Sequence, residues 1–325
     1  MDNALKVALP LLGTEHEKNL QIPMHLASIH LTSGNYLEGW PYWEWRRIRK
    51  DMCRHYEQAP YWEGQDLNNK TLFLYGEQGF GDIIQFSRFI LTVKERYPTV
   101  TIFYESSDPL REIFRFNFPL ARIIDTRTKP DFSFDYHCSL LSLASIFRIT
   151  VEKVPYASGY LRADPNKIAV WSERLGIKNK LRVGLVWHGQ DGKQTGVDSR
   201  RNIPFDLFRP LLLNDTIDWY SLQLGMKGSG LIDFTNDITD FSETAAFISC
   251  LDLVITVDTA VAHLAGAVGC KTWVLSRMDG CWRWATQAWY VKAEVFQQKT
   301  WLGWEDTISQ LEMRLTTLGG VSSGD

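Results

Sequence analysis

Residues 254–269, VITVDTAVAHLAGAVG, constrain the fold most narrowly. A short apolar run at 254–257 meets Asp258-Thr259, and small residues at helical spacing follow, with His263 among them. An apolar run this short, without alternation, fits a strand buried on both faces. A strand that passes directly into a helix is half of the unit from which parallel α/β sheets are built.

The pattern recurs along the chain. Residues 70–76 read as a buried strand. Residues 80–97 read as a helix, with Ile83, Phe86, Ile90 and Val93 on its apolar stripe. A strand at 100–104, a helix at 109–116 and short strands at 122–125 and 134–137 continue the first run. PYASGYLRADP, at 155–165, is rich in turn formers and reads as a linker. The alternation then restarts, with strands at 182–187, 219–223, 253–257 and 272–275, helices at 204–213, 241–250 and 260–268, and a last helix at 305–318. Before the first run, residues 19–50 read as a helical hairpin broken at Ser33-Gly34-Asn35. Ile22, Leu26 and Ile29 lie on one arm, and Tyr36, Trp40 and Trp43 give the other an aromatic face. A lone hairpin cannot bury that face, so it must pack on the body of the protein or on a partner. The expected class is α/β. The expected organisation is a helical, repeat-like segment at 1–60, one Rossmann-like domain at 61–160, a second at 161–300, and a C-terminal helix and tail at 301–325. A chain of 325 residues, 45% of them hydrophobic, is comfortable as two domains.

The formal net charge of -3 gives no whole-chain pull toward nucleic acid or an anionic membrane. A local basic stripe at Arg46, Arg47, Arg49, Lys50 and Arg54 reads either as a solvated helix face or as a phosphate-facing one. The five cysteines, Cys53, Cys138, Cys250, Cys270 and Cys281, are scattered and form no C-x-x-C, which points to reduced thiols in a cytoplasmic protein and to no zinc site. No apolar run approaches the roughly 20 residues of a membrane span, and the first residues do not read as a signal peptide.

Three stretches carry candidate chemistry. Asp258-Thr259 lies at the carboxyl end of a strand, where open parallel sheets bind ligands. A helix starting at Ala260 would aim free N–H groups and its positive dipole end there, a site suited to phosphate. The other reading makes Asp258 or Thr259 a helix cap. His263, one turn on, is either a hydrogen-bonded core residue or a group facing the same site. In YGEQGFGD, Asp82 starts a helix just past a strand, and Glu77, Gln78, Gly79 and Gly81 form the turn before it. The turn is neither a P-loop nor a G-x-G-x-x-G, which argues against a dehydrogenase. Asp82 also suits a plain capping role. In WHGQDGKQTGVDSRRNIP, the strand end Trp187-His188 runs into a loop with Gly189, Gly192 and Gly196 that carries Lys193, Arg200 and Arg201. Arginines there fit a diphosphate through forked bonds, or simply a solvated loop. Gln223, at another strand end, reads either as a contact to a nucleobase or ribose or as a structural amide.

Taken together, EGWPYWEWR, LFLYGEQGFGDIIQFSRF, SLLSLASIF, VPYASGYLR, VGLVWHGQ, SRRNIP, WYSLQLG, LDLVITVDTAVAHLAGAVG and WRW resemble the family-nine glycosyltransferases (heptosyltransferases). The likeness is greater to the bacterial relatives associated with tetratricopeptide repeats. It runs from about Leu26 to Trp304. It implies a GT-B architecture, with two Rossmann-like domains facing across a cleft. The activity it implies is an inverting, metal-independent transfer of a hexosyl, heptosyl or pentosyl group from a nucleotide-diphospho-sugar to an acceptor hydroxyl. The nucleotide sugar is a co-substrate, and no cofactor or metal is expected. By the resemblance Asp82 takes the place of the catalytic base and Glu77, Gln78, Gly79 and Gly81 form the acceptor-side loop. Asp258, Thr259, Ala260 and His263 match the donor motif. Trp187, His188, Gly189, Gln223 and one of Arg200 and Arg201 complete the donor side.

The chain departs from the family in carrying about one helical hairpin in place of a repeat array, and Cys281 where relatives often have Asp. It has no D-x-D and lacks the cysteine spacing of the autotransporter-modifying relatives. The acceptor stays open among a saccharide or lipid-linked saccharide, a protein side chain and a hydroxymethylated DNA base. So does the oligomeric state. The competing reading is a non-catalytic module on a degenerate GT-B fold, binding a nucleotide sugar or presenting Trp40, Trp43 and Trp45 to a partner.

Overall fold

The computed structural model describes residues 21–48, 59–125, 132–189, 199–226, 229–301 and 303–319. The chain forms two compact units. The first runs to Ala157 and takes in Cys281–Trp289. The second comprises Ser158–Gly280 and the chain from Tyr290 onward.

In the first unit, α1 (Gln21–Thr32) and α2 (Tyr36–Trp43) form the N-terminal hairpin, and β1 (Thr71–Tyr75), α3 (Phe80–Arg96), β2 (Thr101–Ser106), α4 (Asp108–Asn117), β3 (Ala121–Asp125) and β4 (Tyr136–Ser139) follow. A single turn of helix, α5 (Leu143–Ile146), ends this run. The strands form one parallel sheet in the order β3-β2-β1-β4, with Leu72 opposite both Ile102 and Tyr136. β1 is apolar and buried from Leu72 to Tyr75, as a central parallel strand must be.

The hairpin's aromatic face is core. Trp40 and Trp43 are buried, and their indole N–H groups donate to the carbonyls of Ile149 (2.7 Å) and Leu141 (3.3 Å). Tyr36, Trp40 and Trp43 all pack edge-on to Trp282, and Trp289 donates to the Tyr36 hydroxyl at 2.8 Å. This corrects the expectation that Trp40 and Trp43 are available to a partner, because the segment Cys281–Trp289 covers them. On α1 the buried residues are Pro23, Leu26, Ala27 and Leu31, while Ile22 and Ile29 are half-buried, so the apolar face is rotated from the expected stripe.

In the second unit, α6 (Pro165–Leu175), β5 (Leu181–Val186), α7 (Arg209–Leu212), β6 (Ile217–Ser221), β7 (Ile232–Asp233), α8 (Phe241–Ser249), β8 (Leu253–Val257), α9 (Ala260–Ala267), β9 (Thr272–Ser276), β10 (Ala293–Gln297) and α10 (Glu305–Gly319) build a six-stranded parallel sheet in the order β10-β9-β8-β5-β6-β7. β8 and β9 are buried along their whole length. Trp273, Leu275, Phe208, Trp304 and Leu311 pack into one core with the inward residues of β5 and β8.

The sequence misses α5, α6, β7 and β10. Asp164 caps α6 by accepting from the Asn166 N–H at 2.8 Å, and Pro165 follows at the first helical position. That pair is a start signal inside the stretch read as linker. β10 (AEVFQ) is a short edge strand whose residues do not alternate cleanly between polar and apolar, so it offers only a weak period. The helix expected at 204–213 is a 3-10 turn followed by α7, with Pro204 and Pro210 limiting regular helix. β4 begins at Tyr136, with Phe134 packed with Phe73 and Tyr75 just ahead of it.

The small-residue face of α9 has a local reason at Gly266. A Cβ there would collide with the Tyr290 ring. Gly266→Val is therefore expected to destabilise by about 1–3 kcal/mol through overpacking. Thermal unfolding checks this.

Candidate functional site

Each sheet has one point where successive crossovers run in opposite directions. In the order β3-β2-β1-β4 it lies between β1 and β4, and in β10-β9-β8-β5-β6-β7 between β5 and β8. Parallel sheets bind ligands beyond the carboxyl ends of the strands at such points, where the two departing loops leave a crevice. The loops that leave these strand ends are the ones singled out by sequence: Glu77–Asp82 after β1, Trp187–Gly189 after β5 and Asp258–Ala260 after β8.

At the second unit's reversal, the N-cap Thr259 is extended (φ -139°, ψ 173°) and makes no side-chain capping bond. Its hydroxyl lies 3.1 Å from that of Thr256, which itself donates to the Val257 carbonyl at 2.8 Å. Thr259 is therefore not spent on capping α9. The Asp258 backbone carbonyl accepts from Arg201 Nη1 at 2.6 Å, and its side chain is partly exposed. The Arg201 guanidinium lies so close over Gly189 that a Cβ at that position would collide with it. The Gly189 N–H donates to Asn202 Oδ1 at 2.8 Å, and the Asn202 amide meets His188 Nε2 at 2.9 Å. Gln223 Oε1 accepts from the N–H groups of Trp187 (3.3 Å) and His188 (2.9 Å). Gln223 and Arg201 thus hold the β5 loop in place, and Trp187 is buried in the core below. Asn202, missed by sequence, belongs to this set; its only signal was its place after the arginine pair.

Arg200 differs from Arg201. It is exposed, pairs with Asp279 at 3.4 Å and lies 5.1 Å from the Trp301 ring centroid. His263 is buried, its Nδ1 3.1 Å from the Tyr290 hydroxyl and its Nε2 3.9 Å from Asp258 Oδ1. It is at once a core residue and a neighbour of the Asp258 carboxylate. Gly192, Lys193 and Gly196 lie outside the described residues.

At the first unit's reversal, two acids on one loop have opposite fates. The Glu77 side chain is 1% exposed and receives Arg46 Nε at 3.0 Å and Nη2 at 2.9 Å, as well as the Ser139 hydroxyl. Arg46 also donates to Glu44 (2.7 Å), the Ser142 hydroxyl (2.6 Å) and the Trp43 carbonyl (3.0 Å). Burial works against its charge, but Glu44 and Glu77 outweigh that and move its pKa up. Arg46 therefore has no place in a solvated or phosphate-facing stripe, which corrects that expectation. Its neighbour Arg47 stacks 3.6 Å from the Tyr61 ring centroid, and Arg49, Lys50 and Arg54 fall outside the described residues.

Asp82 stays at the surface, its side chain 21% exposed. Oδ2 accepts from the Gly79 N–H at 3.1 Å, so the capping role is real, and Oδ1 forms an ion pair with Arg283 Nη2. Gln78 takes a left-handed conformation (φ 63°) and, with Gly79 and Phe80, is exposed beside Asp82; Gly81 is half-buried. A non-glycine residue in that region is uncommon and marks a constrained turn.

Among the described residues no group of three or more His, Cys, Asp or Glu side chains is arranged to hold a metal ion. Nor is any described helix long and apolar enough to cross a membrane. Burial raises the pKa of Cys138, Cys250 and Cys270, the last to about 12, which favours the protonated thiol over the nucleophilic thiolate. Cys53 lies outside the described residues.

Two parallel α/β units, each with one reversal of its crossovers, make a GT-B-like fold. Two solved structures share the fold: a glycosyl transferase family 9 structure from Veillonella parvula DSM 2008 (11% identity, 79% of this chain and 91% of that one, TM-score 0.53) and the ADP-heptose lps heptosyltransferase II of E. coli (11% identity, 78% and 100%, TM-score 0.55). Residues 238–277, which span α8 to β9, match the model of glycosyltransferase family 9 (heptosyltransferase). By that segment and by its fold the chain is family-9-like, and the resemblance to family nine drawn from the sequence holds. Protein FlbA of Caulobacter vibrioides is 27% identical over 324 residues, covering 89% of this chain. The chain spans 54% of that relative's length.

The buried Arg46–Glu77 pair makes a direct stability prediction. Arg46→Met strands a buried carboxylate and is expected to cost about 3–5 kcal/mol. Adding Glu77→Gln recovers part of the loss, because the stranded charge is gone. Urea unfolding of the two variants beside the wild type checks both statements.

Proposed function

We propose that the chain transfers a sugar from a nucleotide-diphospho-sugar to an acceptor hydroxyl. The observation that carries this reading is the pairing of sites. A helix start without a side-chain cap, with arginines beside it, lies at one sheet's reversal, and a surface carboxylate fixed in orientation lies at the other's. The first suits a diphosphate and the second a hydroxyl that must lose its proton. In this reading residues 161–300 form the nucleotide-sugar domain, 61–160 the acceptor domain, 1–60 a repeat-like helical segment, and 301–325 a C-terminal helix and tail.

Asp82 accepts the acceptor hydroxyl's proton as general base. The acceptor oxygen forms its bond to the anomeric carbon as the bond to the diphosphate oxygen breaks, and the electron pair leaves with the diphosphate. A single displacement of this kind inverts the anomeric centre. The N–H groups at the start of α9 and the Arg200 guanidinium take up the charge that develops on the leaving group; one such preorganised donor is worth about 2.7–4 kcal/mol of barrier. Arg200 is assigned this role because it is exposed and its pairing with Asp279 is a surface one, which costs little to give up, whereas Arg201 Nη1 is bonded to the Asp258 carbonyl. Trp187, His188, Gly189, Gln223, Thr259 and His263 shape the donor side, and Glu77, Gln78, Gly79 and Gly81 the acceptor-side turn. The reading needs no metal or other cofactor, and the reduced-thiol pattern fits a cytoplasmic site of action. A saccharide or lipid-linked acceptor is taken first, then a protein side chain. A modified DNA base ranks last, because Arg46 is withdrawn from the basic stripe.

The test is a thermal-shift panel of ADP-, UDP-, GDP- and CMP-sugars with NAD as control, on wild type and Asp258→Ala. ADP-heptose comes first, because the E. coli relative uses that class of donor by its name. A donor at about 100 times its Kd adds roughly 2.7 kcal/mol to the wild type. The expected result is stabilisation by one nucleotide sugar in the wild type and not in Asp258→Ala. Stabilisation by NAD alone, or by none of the panel, overturns the proposal.

A further inference from the structure

We propose that Arg283 is a positioning residue for Asp82: a guanidinium packed against two indoles fixes the carboxylate so that its open edge meets the acceptor hydroxyl. The inference rests on the base role given to Asp82 above.

Arg283 lies in Cys281–Trp289, the segment between β9 and β10 that belongs to the first unit. Its guanidinium carbon is 4.6 Å from the Trp282 ring centroid and 5.5 Å from that of Trp43, and Nη1 donates to Cys281 Sγ at 3.0 Å. The side chain is 9% exposed, which leaves little of it for substrate. A guanidinium buried to this degree needs a counter-charge, and Asp82 Oδ1 supplies it. With Oδ2 on the Gly79 N–H, the carboxylate plane is fixed from both sides. An ionised carboxylate offers about four acceptor positions, and these two contacts leave room for a hydroxyl.

The value of such fixing lies in geometry. A general base works within about 2.6–3.2 Å of the proton it takes, and a misplacement of about 1 Å can cost about a hundredfold in rate. Without Arg283, Asp82 keeps only the Gly79 contact, and its side chain can rotate about both of its torsions. The Trp43 and Trp282 rings give the guanidinium itself a fixed seat, which ties the hairpin to the same purpose.

The experiment measures kcat and donor KM for the nucleotide sugar that stabilises the protein, as nucleoside diphosphate released with water as acceptor. The proteins are wild type, Arg283→Met, Arg283→Lys, Asp82→Asn and the double variant Asp82→Asn/Arg283→Met. The expected result is a kcat lowered about 10–100-fold in Arg283→Met with donor KM unchanged, partial recovery in Arg283→Lys, and no further loss when Arg283→Met is added to Asp82→Asn. If Arg283→Met does not fold, Arg283→Lys carries the test with a smaller fall in kcat at unchanged donor KM. A wild-type kcat in the folded variants, a loss confined to KM, or a loss that multiplies with that of Asp82→Asn overturns the positioning role alone. A wild type without turnover, or an Asp82→Asn variant as active as wild type, overturns the base reading and this inference with it.

Discussion

Parallel strands cannot be joined by tight turns, so every strand's carboxyl end opens into a loop that must travel back across the sheet. Where two such loops leave neighbouring strands in opposite directions, backbone N–H groups and side chains converge with no covering hairpin. Both sheets of this chain have one such point, and most of the residues with candidate chemistry lie on the loops that leave it, Gln223 after β6 being an exception. Two-sided burial of β1, β5 and β8 and close packing of α9 keep those strand ends rigid, and every contact described at either site depends on it.

The first unit solves a second problem, the burial of positive charge, in one repeated way. Arg46, Arg88 and Arg283 are all buried, and each lies over an indole, at 5.2 Å from Trp43, 5.2 Å from Trp289 and 4.6 Å from Trp282. Arg88 on α3 donates to the carbonyls of Pro155 (3.1 Å) and Trp289 (3.0 Å). These layers knit together the N-terminal hairpin, the helix that starts at the Asp82 turn and the segment Cys281–Trp289. The hairpin's tryptophans are therefore a structural wall behind the Asp82 turn.

The parallel α/β class and most of the elements were legible, because buried strands and amphipathic helices write their period into adjacent residues. β8 and α9 lie almost where the sequence places them. What failed was carried by contacts across long stretches of chain. The aromatic face of the hairpin looks the same whether its cover comes from a partner or from residues 281–289, about 240 positions later. Gln223 reads as a ligand contact or as a structural amide until the Trp187 and His188 N–H groups are seen pointing at it. α6 failed for a different reason: its Asp164-Pro165 start signal was present but sat in a turn-rich stretch that suited a linker equally well.

The two acids of the β1 loop show where sequence reasoning stops and physics takes over. Glu77 and Asp82 flank the same glycine turn, and nothing local ranks one above the other as a base. Burial decides between them. Glu77 points under the loop, toward Ser139 at the end of β4, where a charge survives only because Arg46 reaches it from the hairpin. That carboxylate is buried, with Oε1 engaged by Arg46 and the Ser139 hydroxyl. Asp82, in the first turn of α3, is partly exposed and is held at one oxygen by backbone and at the other by Arg283, so water and a hydroxyl can still approach its edge. The first acid gives the loop its shape, the second is the one that the proposed reading makes the base, and two arginines distant in sequence make the difference.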